Sequence, residues 1–293
     1  MHNSKFFGHL KALICVTVWG STFIVSKGLM SYLNPVQLMF VRFVLAYAAM
    51  WILCPKWFFR WREEWRFLVL ALFSNTIYYW AENTALTLTQ TTNVSILVST
   101  APIFTAVILA CLHKEDRLTK RQISGFALAF CGVVLVVFNG SVSLTLNVTG
   151  DLLALLAAVS WAIYGIFLRK WTDQYDNTLI TRKLMFYGIL TVLPLLTSVN
   201  NPVNTDIILT LPNILRLLYL SLVGNAACYL LWGAAVKQIG VLNANLYIYM
   251  VPLVTLLVSA VTLDESVTTY GFLGILCVII GMVLGTFSKE SAT

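Results

Sequence analysis

Two ionisable side chains each stand as the only charge in their stretch: Glu82 in "NTIYYWAENTALTLTQTTNV" (75–94) and Arg42 in "VQLMFVRFVLAYAAM" (36–50). A buried carboxylate can hold an amine, carry a proton or pair with a guanidinium. An ionisable group in a membrane-crossing helix costs at least ~2.5 kcal/mol on insertion scales, and usually faces the bundle interior or a water-filled cavity. Two readings therefore stand side by side. In one, Glu82 and Arg42 form a buried ion pair that fixes neighbouring helices. In the other, Glu82 faces a cavity and binds a substrate amine or a proton. At 1.5 Å per residue, Glu82 lies roughly 24 Å along its helix and Arg42 roughly 10 Å along an antiparallel one. In a hydrocarbon core of about 30 Å the two can share a level. Exchange of Glu82 between these environments would be a coupling device.

Other polar and aromatic residues fall at helical spacing. Asn75, Tyr79 and Glu82 share a face, with Asn83 beside them; Asn225, Tyr229 and Trp232 share another. Trp19 with Thr22, Trp161 with Tyr164, and Asn245 with Tyr249 make shorter stripes. For any one of these residues, helix packing with interhelical hydrogen bonds is the ordinary role. As a set they are candidate cavity or substrate-binding residues. Aromatic walls with a few amides and one carboxylate suit a small amphipathic solute. A sugar phosphate would call for several convergent basic residues instead. Pro102 and Pro252 remove backbone donors inside helices, and join Glu82 and Arg42 as the candidate coupling or gating set.

Catalytic chemistry has no foothold in the pattern. The six cysteines are scattered through apolar runs, and His2, His9 and His113 lie at a terminus or at helix ends. Neither metal-ligand spacing nor a glycine-rich phosphate loop is present, so no metal, cofactor or ATP hydrolysis is expected, and the chain does not read as an enzyme.

The elements that hold these residues follow from composition. The chain is 59% hydrophobic and 11% charged, with a mean hydropathy of +0.84, whereas a soluble domain carries about 25% charged residues. Apolar runs near 9–30, 35–54, 66–88, 92–112, 120–138, 150–170, 179–199, 214–236, 241–262 and 268–287 predict ten transmembrane helices in an all-α polytopic fold. The first run is too long for a cleavable signal peptide and is expected to remain as a helix. The net charge of +7 is a topology signal rather than a nucleic-acid footprint. With the N-terminus inside, sixteen basic residues fall on the cytoplasmic side and two, Lys27 and Arg216, on the other. This predicts cytoplasmic N- and C-termini.

The two halves of the chain are also alike. A shift of 150 positions aligns Asn75 with Asn225, Tyr79 with Tyr229, Ala85 with Ala235, Asn93 with Asn243, Pro102 with Pro252 and Thr105 with Thr255. A shift of 149 then aligns Asp116 with Glu265, Gly125 with Gly274 and Gly132 with Gly281. Each half holds five helices, an odd number, so the second enters the membrane from the opposite side. Such inverted repeats are a recurring transporter architecture, with the substrate near mid-membrane between the repeats. The expected division is a first repeat over 1–138, an external connecting loop over 139–149 and a second repeat over 150–293.

The pattern "WGSTFIVSKG" (19–28), followed by Pro35 and Arg42, resembles the EamA-type members of the drug/metabolite transporter superfamily. So do the duplicated stretches "APIFTAVILACLHKEDRLTKRQISGFALAFCG" and "VPLVTLLVSAVTLDESVTTYGFLGILCVIIG". The resemblance implies a cavity lined by helices 1–4 and 6–9, with helices 5 and 10 outside. It departs at Asp116, where Glu is usual, at Trp161-Ala162 in place of Trp-Gly, and at Met185 near the counterpart of Arg42. The resulting expectation is a secondary transporter of the bacterial inner membrane that exports amino acids or related amphipathic metabolites by alternating access. An importer of the same fold is the alternative, and a lipid-handling flippase or membrane enzyme the alternative of another class. The expected partners are a small-molecule substrate, the lipid bilayer and protons as candidate coupling ion, with no nucleic acid and a monomeric or weakly dimeric state.

Overall fold

The computed structural model describes residues 2–89, 91–112, 119–138, 147–197, 199, 205–263 and 268–286. Every regular element among them is helical. Asp116, Glu265 and most of the connecting segment, 139–146, lie outside the described residues.

Helix α1 (His2–Leu29) leads through a tight turn into α2 (Pro35–Leu53). Local chemistry sets that second start. Asn34 accepts from Val36 N, the Gln37 side chain accepts from Asn34 N at 2.9 Å, and Pro35 supplies a pre-set φ, a capping box that satisfies otherwise orphaned donors. Helix α3 runs over 61–88, starting five residues earlier than hydropathy predicts. Glu63 and Glu64 in its first turn suit the positive end of a helix.

The run 91–112 is α4, formed by Thr91–Val98 and Ala101–Leu112. Lys120–Phe138 is α5, Val148–Trp171 is α6 and Asn177–Leu196 is α7. Asn147 and Asp176 cap α6 and α7. After a single turn at Thr205–Ile208, α8 occupies 211–239. Gly240, at φ 78° and ψ 161°, breaks the chain there, a backbone conformation open essentially to glycine alone. Helix α9 follows over 241–263 and α10 over Thr269–Thr286. Among the described residues six helical stretches are long and apolar enough to cross a membrane, one of them the 48-residue run that Gly240 divides.

The packing repeats itself between the halves. Helix α1 lies against α8 and α9, while α6 lies against α3 and α4; α2 packs on α7, and α5 on α10. The last contact is close. A Cβ on Gly125 would come within 2.6 Å of Gly285 N, and one on Gly132 within 2.6 Å of Val278 N. Small residues of this kind let membrane helices approach backbone to backbone.

Two departures from regular helix occur at equivalent places. Helix α3 contains a π-helical stretch, Leu72–Ile77, and α8 contains another, Tyr219–Ala227. Hydropathy gives no warning of either. A π turn widens the ladder and leaves carbonyls open to other donors. Tyr229 Oη donates to Ser74 O at 2.9 Å, and Trp19 Nε1 donates to Gly224 O at 3.0 Å. Ser74 and Gly224 are themselves 150 positions apart. Each π segment thus receives a side chain from the other half.

Candidate functional site

The central cavity is lined by Trp19, Thr22 and Phe23 of α1, Tyr78, Tyr79 and Glu82 of α3, Val98 and Ala101 of α4, Trp161 of α6, and Ile248 and Val251 of α9. The prolines explain the α4 and α9 walls. A proline cannot donate to the carbonyl four residues back, and its ring clashes there. For Pro102 that residue is Val98, where the first part of α4 ends. For Pro252 it is Ile248, inside a 3₁₀ stretch at Tyr247–Met250. Both interruptions border the cavity, and Val98 with Ile248, like Ala101 with Val251, are repeat counterparts.

The α3 and α8 contributions differ. Helix α3 brings a carboxylate to the cavity at Glu82. Its counterpart Trp232 is fully buried and fills its own side, its ring 5.0 Å from that of Trp19 and 5.8 Å from that of Trp161. Tyr229 and Tyr164 lie behind these rings, with centroids 6.1 Å apart.

Arg42 and Glu82 do not form an ion pair. Arg42 is 1% exposed. Its Nη2 and Nε donate to Asn225 Oδ1 at 2.6 and 3.1 Å, Nη1 donates to Ser26 Oγ at 3.3 Å, and Nη2 also reaches Tyr79 Oη at 3.3 Å. The cation lies 4.5 Å from the centre of the Tyr79 ring, within cation–π range. Glu82, 5% exposed, has Tyr78 and Arg42 as its electrostatic neighbours. Arg42 acts on it through space, without a contact ion pair.

The remaining candidates divide between cavity and packing. Trp19, Thr22, Tyr79, Glu82 and Trp161 border the cavity. Asn75 instead donates to Leu184 O at 2.9 Å and ties the π segment of α3 to α7. Asn225 does the corresponding work on α8 by holding Arg42 of α2. Asn245 donates to Thr105 Oγ1 at 2.6 Å, joining α9 to α4. Asn83 and Tyr249 are buried outside the lining, and neither the amide of Asn83 nor the hydroxyl of Tyr249 has a protein partner. The indole N–H of Trp161, at the cavity wall, is also without one.

Phe23, Tyr78, Val98, Ala101, Ile248 and Val251 escape the sequence reading. Tyr78 was legible, since it stands one helical turn before Glu82. The four aliphatic residues carry no chemical mark; only their duplication beside Pro102 and Pro252 points to them.

A buried cluster elsewhere also went unforeseen. Glu64 on α3 accepts from Lys183 Nζ at 2.9 Å through both oxygens, and from Tyr187 Oη at 2.6 Å. Arg182 beside it donates to Cys54 O and lies 4.7 Å from the Trp51 ring centre. Lys183 and Arg182 read in sequence only as part of the basic count.

An apolar helical body, folded as two similarly packed halves around a cavity with a single charged wall residue, defines an integral, multi-pass membrane protein of the transporter class. Residues 6–138 and 148–287 match the EamA-like transporter family, and the chain belongs to that family. It is 31% identical to an "Uncharacterized transporter" of Archaeoglobus fulgidus over 98% of this chain and 99% of the relative. It is 26% identical to a "Probable amino-acid metabolite efflux pump" of Salmonella typhimurium over 94% and 93% of the two chains. A solved crystal structure superposes with a TM-score of 0.75 at 17% identity, covering 95% of this chain and 96% of that one, a likeness of fold.

Proposed function

We propose that this protein is a secondary exporter of the bacterial cytoplasmic membrane that moves amino acids or related amphipathic metabolites. Its two five-helix halves are inverted repeats that rock around the shared cavity, with both termini on the cytoplasmic side. The observation that carries the reading is a cavity walled from both halves, with Glu82 the only charged residue among its described lining residues. The duplicated packing of α1 on α8 and α6 on α3 supports the repeat relation, and the strong asymmetry of basic residues supports the orientation. The Salmonella relative's name supports the direction and the substrate class.

Within this reading Trp19, Thr22, Tyr79, Glu82 and Trp161 contact substrate. Asn75, Asn225 and Arg42 hold the π segments to their partner helices, and the breaks before Pro102 and Pro252 let α4 and α9 bend. Glu82 is the candidate proton carrier. Protein reconstituted in proteoliposomes, loaded with a panel of amino acids and given or denied a proton gradient, tests this. Gradient-dependent movement of at least one amino acid is expected. No movement of any compound in either condition overturns the reading.

A further inference from the structure

We propose that the cavity selects its substrate by the amine end alone: a protonated amine seats at Glu82 among aromatic faces, and a substrate carboxylate finds no charged partner. This rests on the exporter reading above and names the substrate class within it. Amphipathic amines and amino-acid derivatives with an absent or masked carboxyl group are preferred, and deaminated acids are rejected.

The first observation is the charge of the wall. Among the described lining residues Glu82 is the one carboxylate and none is a cation; the rest are aliphatic, aromatic or, in Thr22, Tyr78 and Tyr79, bearers of a neutral hydroxyl. The Thr22 hydroxyl is engaged, donating to Trp19 O at 2.8 Å. A buried carboxylate with no cation in contact is under-compensated, because burial strips its hydration. A ligand ammonium supplies the missing charge.

The second observation concerns the nearest cation. Arg42 is the obvious partner for a substrate carboxylate, but it lies outside the lining. It donates to Asn225, Ser26 and Tyr79, and the Tyr79 ring lies against it at 4.5 Å. Those acceptors occupy four of its five N–H donors, which leaves a carboxylate one Nη1 donor at most unless it displaces them. A free acid in the cavity would instead meet Glu82, a like charge in a medium that screens poorly.

The third observation is the aromatic enclosure. Trp161 stands with its ring centre 5.2 Å from those of both Trp19 and Tyr78. Ring faces attract ammonium groups and accept apolar bodies equally well. The second half of the chain cannot offer a second such site, since Trp232 fills the position equivalent to Glu82.

A matched ligand series gives the test. Binding of L-phenylalanine, its methyl ester, phenethylamine and 3-phenylpropanoate is measured on the purified full chain by titration calorimetry, and their movement is followed in proteoliposomes. Phenethylamine and the ester are expected to bind at least as tightly as L-phenylalanine, and 3-phenylpropanoate at least tenfold more weakly than phenethylamine. Glu82→Gln should erase that preference and Glu82→Asp should keep it. The wild-type ligand order tests the proposal even if a variant fails to fold. Equal binding of phenethylamine and 3-phenylpropanoate overturns it, as does an unchanged order in Glu82→Gln; in both cases movement of L-phenylalanine leaves the exporter reading standing. If none of the series binds, and no amino acid of the wider panel moves, both fall together.

Discussion

Helix α3 carries two buried carboxylates that live in opposite circumstances. Glu64 and Glu82 are 6% and 5% exposed. Glu64 has a lysine on both oxygens, a tyrosine hydroxyl at 2.6 Å and the backbone N–H of Arg60 at 3.1 Å. Glu82 has a cavity on one side, a tyrosine beside it, and an arginine already committed elsewhere. The saturated acid joins α3 to α7 and has nothing left to offer a ligand. The under-compensated acid adds little to the fold and retains its capacity to bind. Burial of a charge therefore does not mark function by itself; what matters is whether the protein has already answered the charge.

The largest expected effect lies at the answered site. Lys183→Ala leaves Glu64 buried without its cation, and breaking a buried pair in this way costs about 3–5 kcal/mol. Thermal unfolding in detergent should show it as a marked drop in midpoint. Replacing both members with leucine should recover most of the loss, because an apolar pair of similar volume avoids the desolvation of two ions. A midpoint unchanged by Lys183→Ala would erase the distinction between the two acids.

A smaller effect is expected where α2 meets the π segment of α8. Asn225→Leu strips Arg42 of its two bonds to Oδ1, and hydrogen bonds to charged groups are worth about 1.5–3 kcal/mol. Its counterpart Asn75→Leu loses a neutral bond to Leu184 O, worth about 0.5–1.5 kcal/mol. Measured together, the pair compares a two-bond anchor to a guanidinium with the single neutral bond its counterpart makes to another helix. Equal losses would mean that the guanidinium finds another acceptor, and that Arg42 is freer to move than its bonding suggests.

These contrasts show which parts of the molecule sequence could convey. Helix positions followed from apolar length, and the likeness of the halves from Asn75 and Asn225, Pro102 and Pro252. Glu82 stood out because nothing near it in sequence was charged. The Glu64–Lys183 pair stayed hidden because its members are 119 residues apart and each sits among ordinary basic and acidic residues of a helix end. Whether Arg42 paired with Glu82 turned on the acceptors that Asn225, Ser26 and Tyr79 offer the guanidinium, a rotamer and packing matter without a sequence signature. The π segments were hidden for a similar reason. Their sequences read as regular helix, and the donors that stabilise them, Tyr229 and Trp19, come from the opposite half.

The smallest expected change in stability belongs to Glu82 itself, and it is the most discriminating. Glu82→Gln keeps the volume and removes a charge with no contact cation, so folding stability should move by less than ~1 kcal/mol in either direction, small among core substitutions. Transport should nonetheless fall at least tenfold, because the one charge on the cavity wall is gone. Unfolding midpoints and initial transport rates measured on the same preparations separate the two effects. If Glu82→Gln lowers the midpoint as far as Lys183→Ala does, Glu82 is a second structural acid, and the cavity's selectivity has to come from its aromatic walls alone.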